Sequence, residues 1–421
     1  MVYDTLTLTL IQTTKENMLR SVLLFILVSL FLFFEMALQV SPGIMTNVLM
    51  QSLHIDIFWL GMTSGAYFIT YTFMQIPAGL FYDRFSARNV IMLPLLICVV
   101  GGFLFGLAPN FYLAALARIF MGFGSAFAFI GVLVVASHVF NQRYFTLIAG
   151  ITQMLAALGA MCGALPLLPL IDNFGWRITM FIVSSFGLIL LILIYFYLNL
   201  PNKHLTTQPT KLWLAFKTVV KQSQTWIIAM YACLLWMPMA VVASLYGIPF
   251  VEQYFKLSFT IAAMIVTFMW IGIAIGAPIF GFLADKTDKL KLTLTSCAVI
   301  GVIAFGLIIF SPINTITLLI ILFFTSGAAC AGQALSFSLV SRNNKLEHRA
   351  TAIGFNNMAV VISGFIFQPL VGYIIRSSQI TITENYLYGG ASYHNGMLIV
   401  LAGYIVAAST AIFLIKSSKL R

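Results

Sequence analysis

Residues 77–84 read PAGLFYDR and residues 278–286 read PIFGFLADK; each stretch closes a long apolar run and ends on an acid followed by a base. The two acids lie 202 positions apart (285 − 83) in a chain of 421 residues. A second echo has nearly the same period, because GITQM at 150–154 recurs as GFNNM at 354–358, 204 positions later (354 − 150). Two similar apolar units in one chain are typical of transporters built from internal repeats.

The composition places most of the chain in lipid. Hydrophobic residues make up 61% of the chain, charged residues only 8%, and the mean hydropathy is +1.03, whereas soluble domains carry about a quarter charged residues. Since a membrane-spanning helix needs about 20 mostly apolar residues, the sequence predicts an all-α membrane protein. Twelve such runs are present, at about 20–40, 57–80, 90–108, 111–137, 145–170, 177–199, 225–249, 259–283, 292–310, 315–340, 350–375 and 395–415.

The positive charges gather on one predicted side of the membrane. The net charge is +11, and if the N-terminus is cytoplasmic, eighteen of the 22 basic residues fall in cytoplasmic segments. This bias follows the positive-inside rule and predicts that both termini are cytoplasmic. A basic surface that faces anionic lipid accounts for the charge, so no nucleic-acid partner is expected.

The hydrophobic pattern is interrupted in the middle of the chain, at residues 200–224. We interpret this segment as a cytoplasmic linker with a short amphipathic helix that lies on the membrane. It divides the chain into an N-terminal six-helix bundle at 1–199 and a C-terminal six-helix bundle at 225–421. The segment 376–394 is predicted to be the longest external loop.

The sequence contains no catalytic constellation. The five cysteines fall inside predicted spans without metal-ligand spacing, and we expect buried thiols rather than disulfides. No nucleotide-binding loop or Ser/His/Asp arrangement is present, and the five histidines fall at span ends or in loops. We therefore expect neither an enzyme nor a metal or other cofactor.

Both repeats place an acid and bases at a tight turn on the predicted cytoplasmic side. Such an acid can accept hydrogen bonds from the N-terminus of a neighbouring helix, and the bases can bridge to other loops. Because the arrangement occurs twice at equivalent places, we predict a latch that closes the cytoplasmic face, rather than a loop that only anchors the topology. The predicted gate residues are Gly79, Asp83, Arg84, Arg88, Gly281, Asp285 and Lys286.

The repeated loop resembles the signature of the major facilitator superfamily, Gly-x-Leu-Ala-Asp-Arg-x-Gly-Arg-Lys, and residues 281–289 resemble its second-half copy. Residues 118–124 (RIFMGFG) resemble the motif of the family's fourth helix, and residues 175–177 (GWR) resemble the entry to its sixth helix. The resemblance covers nearly the whole chain. It implies two pseudo-symmetric bundles around a central cavity, with helices one and four beside that cavity.

Three further stretches resemble one branch of this superfamily: QVSPGIM at 39–45, MQIPAGL at 74–80 and RYFTLIAG at 143–150. The branch holds phagosomal amino-acid transporters of intracellular bacteria and lysosomal dipeptide carriers. The resemblance implies a carrier of amino acids or short peptides, in a bacterial inner membrane.

Only two of the 33 charged residues (22 + 11) fall deep inside predicted spans, Glu35 in span one and Arg118 in span four. At about 1.5 Å per residue, Glu35 lies about 22 Å from the inner end of its span and Arg118 about 12 Å from the outer end of its own, so both share one depth in a core roughly 30 Å thick. Charge inside a membrane is costly and marks function. We predict a pair whose separation, or competition from a substrate ammonium or carboxylate, changes the protonation of Glu35. A static ion pair between the two helices is the alternative.

Polar and aromatic residues on predicted cavity-facing helices are the candidates for substrate binding. Tyr67, Tyr71 and Gln75 recur every four residues and so share one helix face, and Gln153 is the repeat equivalent of Asn357. Amides donate and accept hydrogen bonds, and left unpaired in lipid they would cost several kcal/mol. Interhelical hydrogen bonding is the alternative role for each. The candidates are Gln39, Tyr67, Tyr71, Gln75, Gln153, Tyr231, Trp236, Gln333, Asn356 and Asn357.

The leading hypothesis is a secondary active transporter that imports amino acids or short peptides with protons, because one positive and one negative intramembrane charge suit a zwitterion. A carrier of organic anions such as sugar acids, anchored at Arg118, is one alternative, and a nutrient receptor of the same fold that does not transport is another. Drug efflux is disfavoured, since residues 159–166 (GAMCGALP) lack the adjacent proline and the glycine pair of the family's antiporter motif. The expected partners are a small-molecule substrate, protons and the lipid bilayer, and the protein is expected to be monomeric.

Overall fold

A computed structural model describes residues 2–140, 145–198, 212–287, 289–313, 315–345, 348–379 and 388–416. Across these residues the chain is almost entirely helical and contains no β-strand. The predicted all-α class is therefore confirmed. Helices suit a chain in lipid because each helix pairs its own backbone polar groups without water.

The first half of the described chain holds predicted spans one to six. Each of these spans coincides with one helix or with two consecutive helices. The helices are α1 (Val2–Ile44), α2 (Thr46–Leu53), α3 (Ile57–Arg84), α4 (Ala87–Leu107), α5 (Phe111–Ser125), α6 (Ala128–Val139), α7 (Phe145–Cys162) and α8 (Leu168–Tyr197).

The second half holds predicted spans seven to twelve in the same way. Its helices are α9 (Leu212–Val220), α10 (Ser223–Pro238), α11 (Gly247–Phe255), α12 (Phe259–Thr287), α13 (Leu290–Phe310), α14 (Ile316–Cys330), α15 (Gly332–Arg342), α16 (Arg349–Ser377) and α17 (Gly390–Ser409). Following the predicted topology, we call the side of the membrane at the start of α3 the outer face and the side at its end the inner face.

Ten helical stretches among the described residues are long and apolar enough to cross a membrane. The longest, 151–197, has 47 residues and holds predicted spans five and six, while α3 is a further helix of 28 residues. If the stretch 151–197 is counted as two spans and α3 is added, the described residues contain twelve spans, the number that the sequence predicts. Large apolar side chains such as Tyr112 (79% exposed) and Phe413 (78% exposed) cover the outside, as expected where a helix faces lipid rather than water.

Gly175 interrupts α8 and separates spans five and six. Its φ of +77° lies in the left-handed region, which glycine adopts at little cost. Just beyond it, the Nη2 atom of Arg177 donates to the carbonyl oxygen of Ala108 at 2.8 Å, and its guanidinium lies 4.2 Å from the ring centre of Trp176. The glycine, tryptophan and arginine of this motif therefore form a helix break that is held to the end of α4.

Span seven changes from α-helix to π-helix after Pro238, over Met239–Tyr246. Proline cannot donate a backbone hydrogen bond, and wide turns of this kind are common at functional positions in membrane helices. All eight residues of the π-helical segment are buried. The segment continues directly into α11, so span seven is one continuous helix whose middle part is π-helical.

The two halves of the chain meet along α3 and α16, which run antiparallel. Gly61 lies against the backbone of Gln368 toward the outer face, and Gln75 is hydrogen-bonded to Asn357 toward the inner face. Two further contacts join the halves, because α7 packs against α12 and α1 packs against the π-helical segment of span seven.

The predicted linker at 200–224 contains α9, so the short helix expected there is confirmed, while residues 199–211 lie outside the described residues. Val219 of α9 is buried, and the ring of Phe216 packs against Phe355 of α16 with centroids 6.3 Å apart. The division into bundles at 1–199 and 225–421 stays a prediction.

Candidate functional site

Glu35 is the fully buried acid of span one. Its Oε2 atom accepts a hydrogen bond from the hydroxyl of Tyr67 at 2.7 Å, whereas its Oε1 atom has no hydrogen-bond partner among the described residues. A buried polar atom without a partner is costly, so such an atom marks a place that a proton or a donor on a bound molecule can occupy.

Arg118 is the fully buried base of span four, and its partners are backbone carbonyl groups of span one. Its Nη1 atom donates to the carbonyl oxygen of Leu38 at 2.7 Å and its Nη2 atom to that of Gln39 at 3.2 Å. Its Nε atom has no hydrogen-bond partner in the part of the chain that the structure describes. The guanidinium also lies 4.6 Å from the ring centre of Tyr67, within the range of a cation–π contact.

Among the described residues, Glu35 and Arg118 lie in one cluster without a direct ion pair between them, and the coupled pair that the sequence predicts stays a prediction. Instead of pairing directly, they contact Tyr67 in two ways, the acid at the hydroxyl and the base at the ring face. The reason is local: Pro42 of α1 has no N–H to pair with the Leu38 carbonyl four residues earlier, and the guanidinium of Arg118 takes that position. The two charges are brought into one cluster, with an aromatic residue as the shared partner.

Tyr67, Tyr71 and Gln75 form a continuous buried stripe on α3, at the spacing that the sequence indicates. The rings of Tyr67 and Tyr71 stack with centroids 5.7 Å apart and an interplanar angle of 21°. The Oε1 atom of Gln75 accepts a hydrogen bond from Nδ2 of Asn357 at 2.8 Å. The stripe therefore leads from Glu35 to the contact between α3 and α16.

The remaining substrate-binding candidates lie on other helices, and two of them make interhelical hydrogen bonds. The hydroxyl of Tyr231 donates to the carbonyl oxygen of Leu294 at 2.8 Å, and Nδ2 of Asn356 donates to the hydroxyl of Ser336 at 2.7 Å. These bonds are the interhelical hydrogen bonds predicted from the sequence as the alternative to substrate binding. Gln39 and Gln333 are buried, while Gln153 and Trp236 are half-buried.

The predicted cytoplasmic gate is described only in part. Gly79 and Gly281 lie in the last turns of α3 and α12 rather than in a loop, and no atom of the described residues lies within 4 Å of the place where a Cβ would stand on either. The guanidinium of Arg88 lies 4.7 Å from the ring centre of Tyr195, and Lys286 is exposed. The side chains of Asp83, Arg84 and Asp285 lie outside the described residues, so the latch stays a prediction.

A group of contacts that the sequence did not predict closes the outer face. The Nη1 atom of Arg376 lies 3.2 Å from Oδ2 of Asp56. The hydroxyl of Tyr246 lies 2.9 Å from the carbonyl oxygen of Gln368 and 3.3 Å from that of Ile57. Asp56 carries a local signal, since it caps the start of α3 by accepting from the N–H of Trp59. Its partner Arg376, 320 residues away in the sequence (376 − 56), carries no such local signal.

The cluster suits binding and gating rather than bond-making chemistry. It offers one carboxyl oxygen and one guanidinium nitrogen that have no partner among the described residues, at the start of a polar stripe between helices. Within the part of the chain that the structure describes, no three His, Cys, Asp or Glu side chains come together to hold a metal ion.

The family model of the Major Facilitator Superfamily matches residues 23–368 of this chain. Among curated proteins, an MFS-type transporter of Claviceps purpurea (strain 20.1) is 30% identical over 148 residues, 35% of this chain and 25% of the relative. The efflux pump aflT of Aspergillus parasiticus is 27% identical over 147 residues, 34% of this chain and 28% of the relative. The putative transporter AraJ of Escherichia coli (strain K12) is 22% identical over 147 residues, 33% of this chain and 36% of the relative. The chain thus matches between about a quarter and a third of the length of these relatives.

Solved structures of the same architecture cover far more of the chain. A bacterial homologue of the human lysosomal transporter Spinster, inward-facing and unoccupied, superposes with a TM-score of 0.77 at 16% identity, over 95% of this chain and 98% of the homologue. The nucleoside transporter NupG superposes with a TM-score of 0.74 at 17% identity, over 93% of this chain and 99% of NupG. At these identities the likeness shows the fold alone.

Proposed function

Since this chain belongs to the Major Facilitator Superfamily, we propose that it is a secondary transporter that imports amino acids or short peptides together with protons, by alternating access. Membership supports the coarse part of this assignment, the movement of a small solute across a membrane. The substrate class and the proton coupling are inferred from the site.

The observation that carries the proposal is the state of Glu35. It is a fully buried carboxyl group inside a membrane span. One oxygen accepts a hydrogen bond from Tyr67, and the other has no partner within the described residues. Ionisable residues at such depth are rare because of their cost, and they commonly mark proton or substrate paths. A carboxyl group with a vacant oxygen can take up a proton from one side and release it to the other when the helices move.

The geometry supports a coupled sequence of events. When the inner face opens, the hydrogen bond between Gln75 and Asn357 must break, because it joins α3 to α16. When the outer face opens, the bonds of Tyr246 to Gln368 and Ile57 must break instead. Glu35 lies beside the stripe that links the two regions, so proton uptake there would favour one arrangement over the other.

Two atoms without partners among the described residues support the proposed substrate class. The Oε1 atom of Glu35 can accept from an ammonium group, and the Nε atom of Arg118 can donate to a carboxylate. A molecule with both charges, such as an amino acid or a short peptide, satisfies both. The main nitrogens of Arg118 are already occupied by carbonyl oxygens of span one, which disfavours an organic anion that depends on Arg118 alone.

The test is uptake of radiolabelled amino acids, dipeptides and a sugar acid into proteoliposomes, with and without an inward proton gradient. We expect gradient-driven uptake of an amino acid or dipeptide by the wild type, and loss of the gradient effect in Glu35→Gln. Glu252→Gln, which removes a half-buried acid of span seven, is the matched control and should keep the gradient effect.

Three other outcomes would replace the proposal. Uptake of the sugar acid alone would favour an organic-anion carrier. Saturable binding without uptake or counterflow would favour a nutrient receptor. Uptake into inverted vesicles would favour efflux, the activity in the names of four relatives matched over about a third of the chain.

The same proposal assigns the protein to a bacterial inner membrane as a monomer with both termini in the cytoplasm. It gives the inner ends of α3 and α12, around Gly79 and Gly281, the role of the cytoplasmic gate. The positive-inside distribution of basic residues supports the orientation. Labelling of single cysteines at Gln51 and Lys345 with an impermeant reagent in intact cells tests it, since only the former should react.

A further inference from the structure

Pro42 lies inside α1, two residues before its end at Ile44, and a proline inside a helix bends it. A helical residue at this position would donate its N–H to the carbonyl group of Leu38, four residues earlier, and proline cannot do so. Two side chains supply the missing donors: Nη1 of Arg118 at 2.7 Å and the hydroxyl of Ser41 at 3.0 Å. The backbone of span one is thus completed here by a residue of span four.

The next residue, Gly43, makes one of the contacts between the halves of the chain. A Cβ at Gly43 would stand 2.7 Å from the carbonyl oxygen of Ser244, in the π-helical segment of span seven. The two backbones therefore touch, and only glycine allows it. A change of a few degrees in the bend at Pro42 would open or strain this contact.

We propose that Arg118 is a positioning residue that sets the bend of span one. Its guanidinium donates to the Leu38 carbonyl group, which the N–H-less Pro42 leaves unpaired. The bend in turn holds Gly43 against Ser244 when the outer face is closed. The inference rests on the alternating access proposed above, but it concerns the conformation of the protein without substrate. It explains why a buried guanidinium points at backbone oxygens although an acid lies in the same cluster.

The same arrangement joins the charged cluster to the outer face. Tyr67 holds Glu35 with its hydroxyl and lies under the guanidinium of Arg118 with its ring. A proton or an ammonium group that arrives at Glu35 changes the field at that guanidinium, and the guanidinium holds the bend. The route from Glu35 to Gly43 therefore runs through contacts that are all present within the described residues.

A double-mutant cycle between Pro42 and Arg118 tests the proposal. Spin labels at Gln51 and Ser377, both exposed at the outer face, report its opening by double electron–electron resonance, with Cys162 and Cys233 replaced by Ser. We expect Arg118→Gln to lower the ratio of closed to open molecules at least about fivefold with Pro42 present. In Pro42→Ala, whose N–H pairs with Leu38, the same change should lower it less than about twofold.

Two variants keep the test decisive if Arg118→Gln folds poorly. Arg118→Lys retains the charge but cannot reach two carbonyl oxygens, and it should open the outer face in the Pro42 background only. Gly43→Ala should open the outer face in either background, because the added Cβ disturbs the contact with Ser244 directly, whatever the bend at Pro42. Tyr67→Phe keeps the ring and should leave the Pro42–Arg118 coupling unchanged.

Equal effects of Arg118→Gln or Arg118→Lys in both backgrounds would overturn the positioning role. The distances are measured without substrate or gradient, so this failure is separate from that of the proposed function. A coupled cycle in a protein that shows no proton-driven uptake would leave the positioning role standing and remove only the transport assignment.

Discussion

The Nδ2 atom of Asn357 lies 2.8 Å from the Oε1 atom of Gln75, so one hydrogen bond crosses between the halves of the chain toward the inner face. It is a bond between neutral groups, and it ends the polar stripe that begins at Tyr67. The outer face is closed differently, by a buried tyrosine hydroxyl and a partly exposed ion pair. Opening of the inner face and opening of the outer face should therefore respond to different substitutions.

Removal of either partner of the inner bond should favour opening of the inner face. A neutral hydrogen bond contributes about 1 kcal/mol, so Gln75→Ala and Asn357→Ala should each shift the equilibrium by about fivefold. The double variant should add little to either single change, because both remove the same bond. Spin labels placed at the inner ends of α3 and α16 measure the shift. Full additivity would mean that the two side chains act separately.

Tyr246→Phe should open the outer face more than Arg376→Gln does. The tyrosine hydroxyl is fully buried and serves two carbonyl groups, and its loss should cost about 1–2 kcal/mol. The side chain of Arg376 is 52% exposed and that of Asp56 is 19% exposed, so their ion pair should contribute at most about 1 kcal/mol.

The ion pair also makes a distinct prediction about salt. Opening of the outer face by Arg376→Gln should fade as salt is added, because salt screens exposed charges, whereas the effect of Tyr246→Phe should persist. The distance between labels at Gln51 and Ser377, measured at low and high salt, compares the two variants. A swap of Asp56 and Arg376 should restore closure at low salt.

Tyr67→Phe should destabilise the protein and impair coupling while keeping the packing of span two. The change leaves Glu35 without a hydrogen-bond partner on either oxygen among the described residues, at a cost of about 1–3 kcal/mol. The ring remains under Arg118 and against Tyr71. Thermal unfolding in detergent and gradient-driven uptake measure the two effects. Tyr71→Phe is the control, and unchanged uptake by Tyr67→Phe would separate Tyr67 from coupling.

Gly122→Ala should destabilise the first half of the chain. A Cβ at Gly122 would collide with the carbonyl group of Tyr67 on α3, and overpacking of this kind costs about 1–3 kcal/mol. Gly306→Ala is the matched control, because its added Cβ would lie 3.8 Å from the nearest atom, in Leu401. That change should leave stability unaltered or raise it slightly, as alanine favours helix. The midpoints of thermal unfolding of the Gly122→Ala and Gly306→Ala variants, each set against the wild type, measure the two changes in stability.

The spans, the charge cluster and the stripe could be predicted because each depends on local pattern. Apolar runs of membrane length indicate the helices, four-residue spacing places Tyr67, Tyr71 and Gln75 on one face, and depth brings Glu35 and Arg118 to one level. The coupling of Glu35 to Arg118 stays a prediction, and the sequence did not indicate that a carbonyl group beside Pro42 accepts from Arg118.

The sequence by itself determined that this chain is an all-α protein of the membrane, with a repeated architecture and one buried acid and base. These properties follow from hydropathy and from the cost of charge in lipid, which act at each residue separately. Only the tertiary structure decided which groups are paired: Arg118 with span one, Gln75 with Asn357, and Tyr246 with Gln368 and Ile57. Such pairings depend on how helices far apart in sequence are packed and bent, and hydrogen bonds are made or lost over less than an ångström.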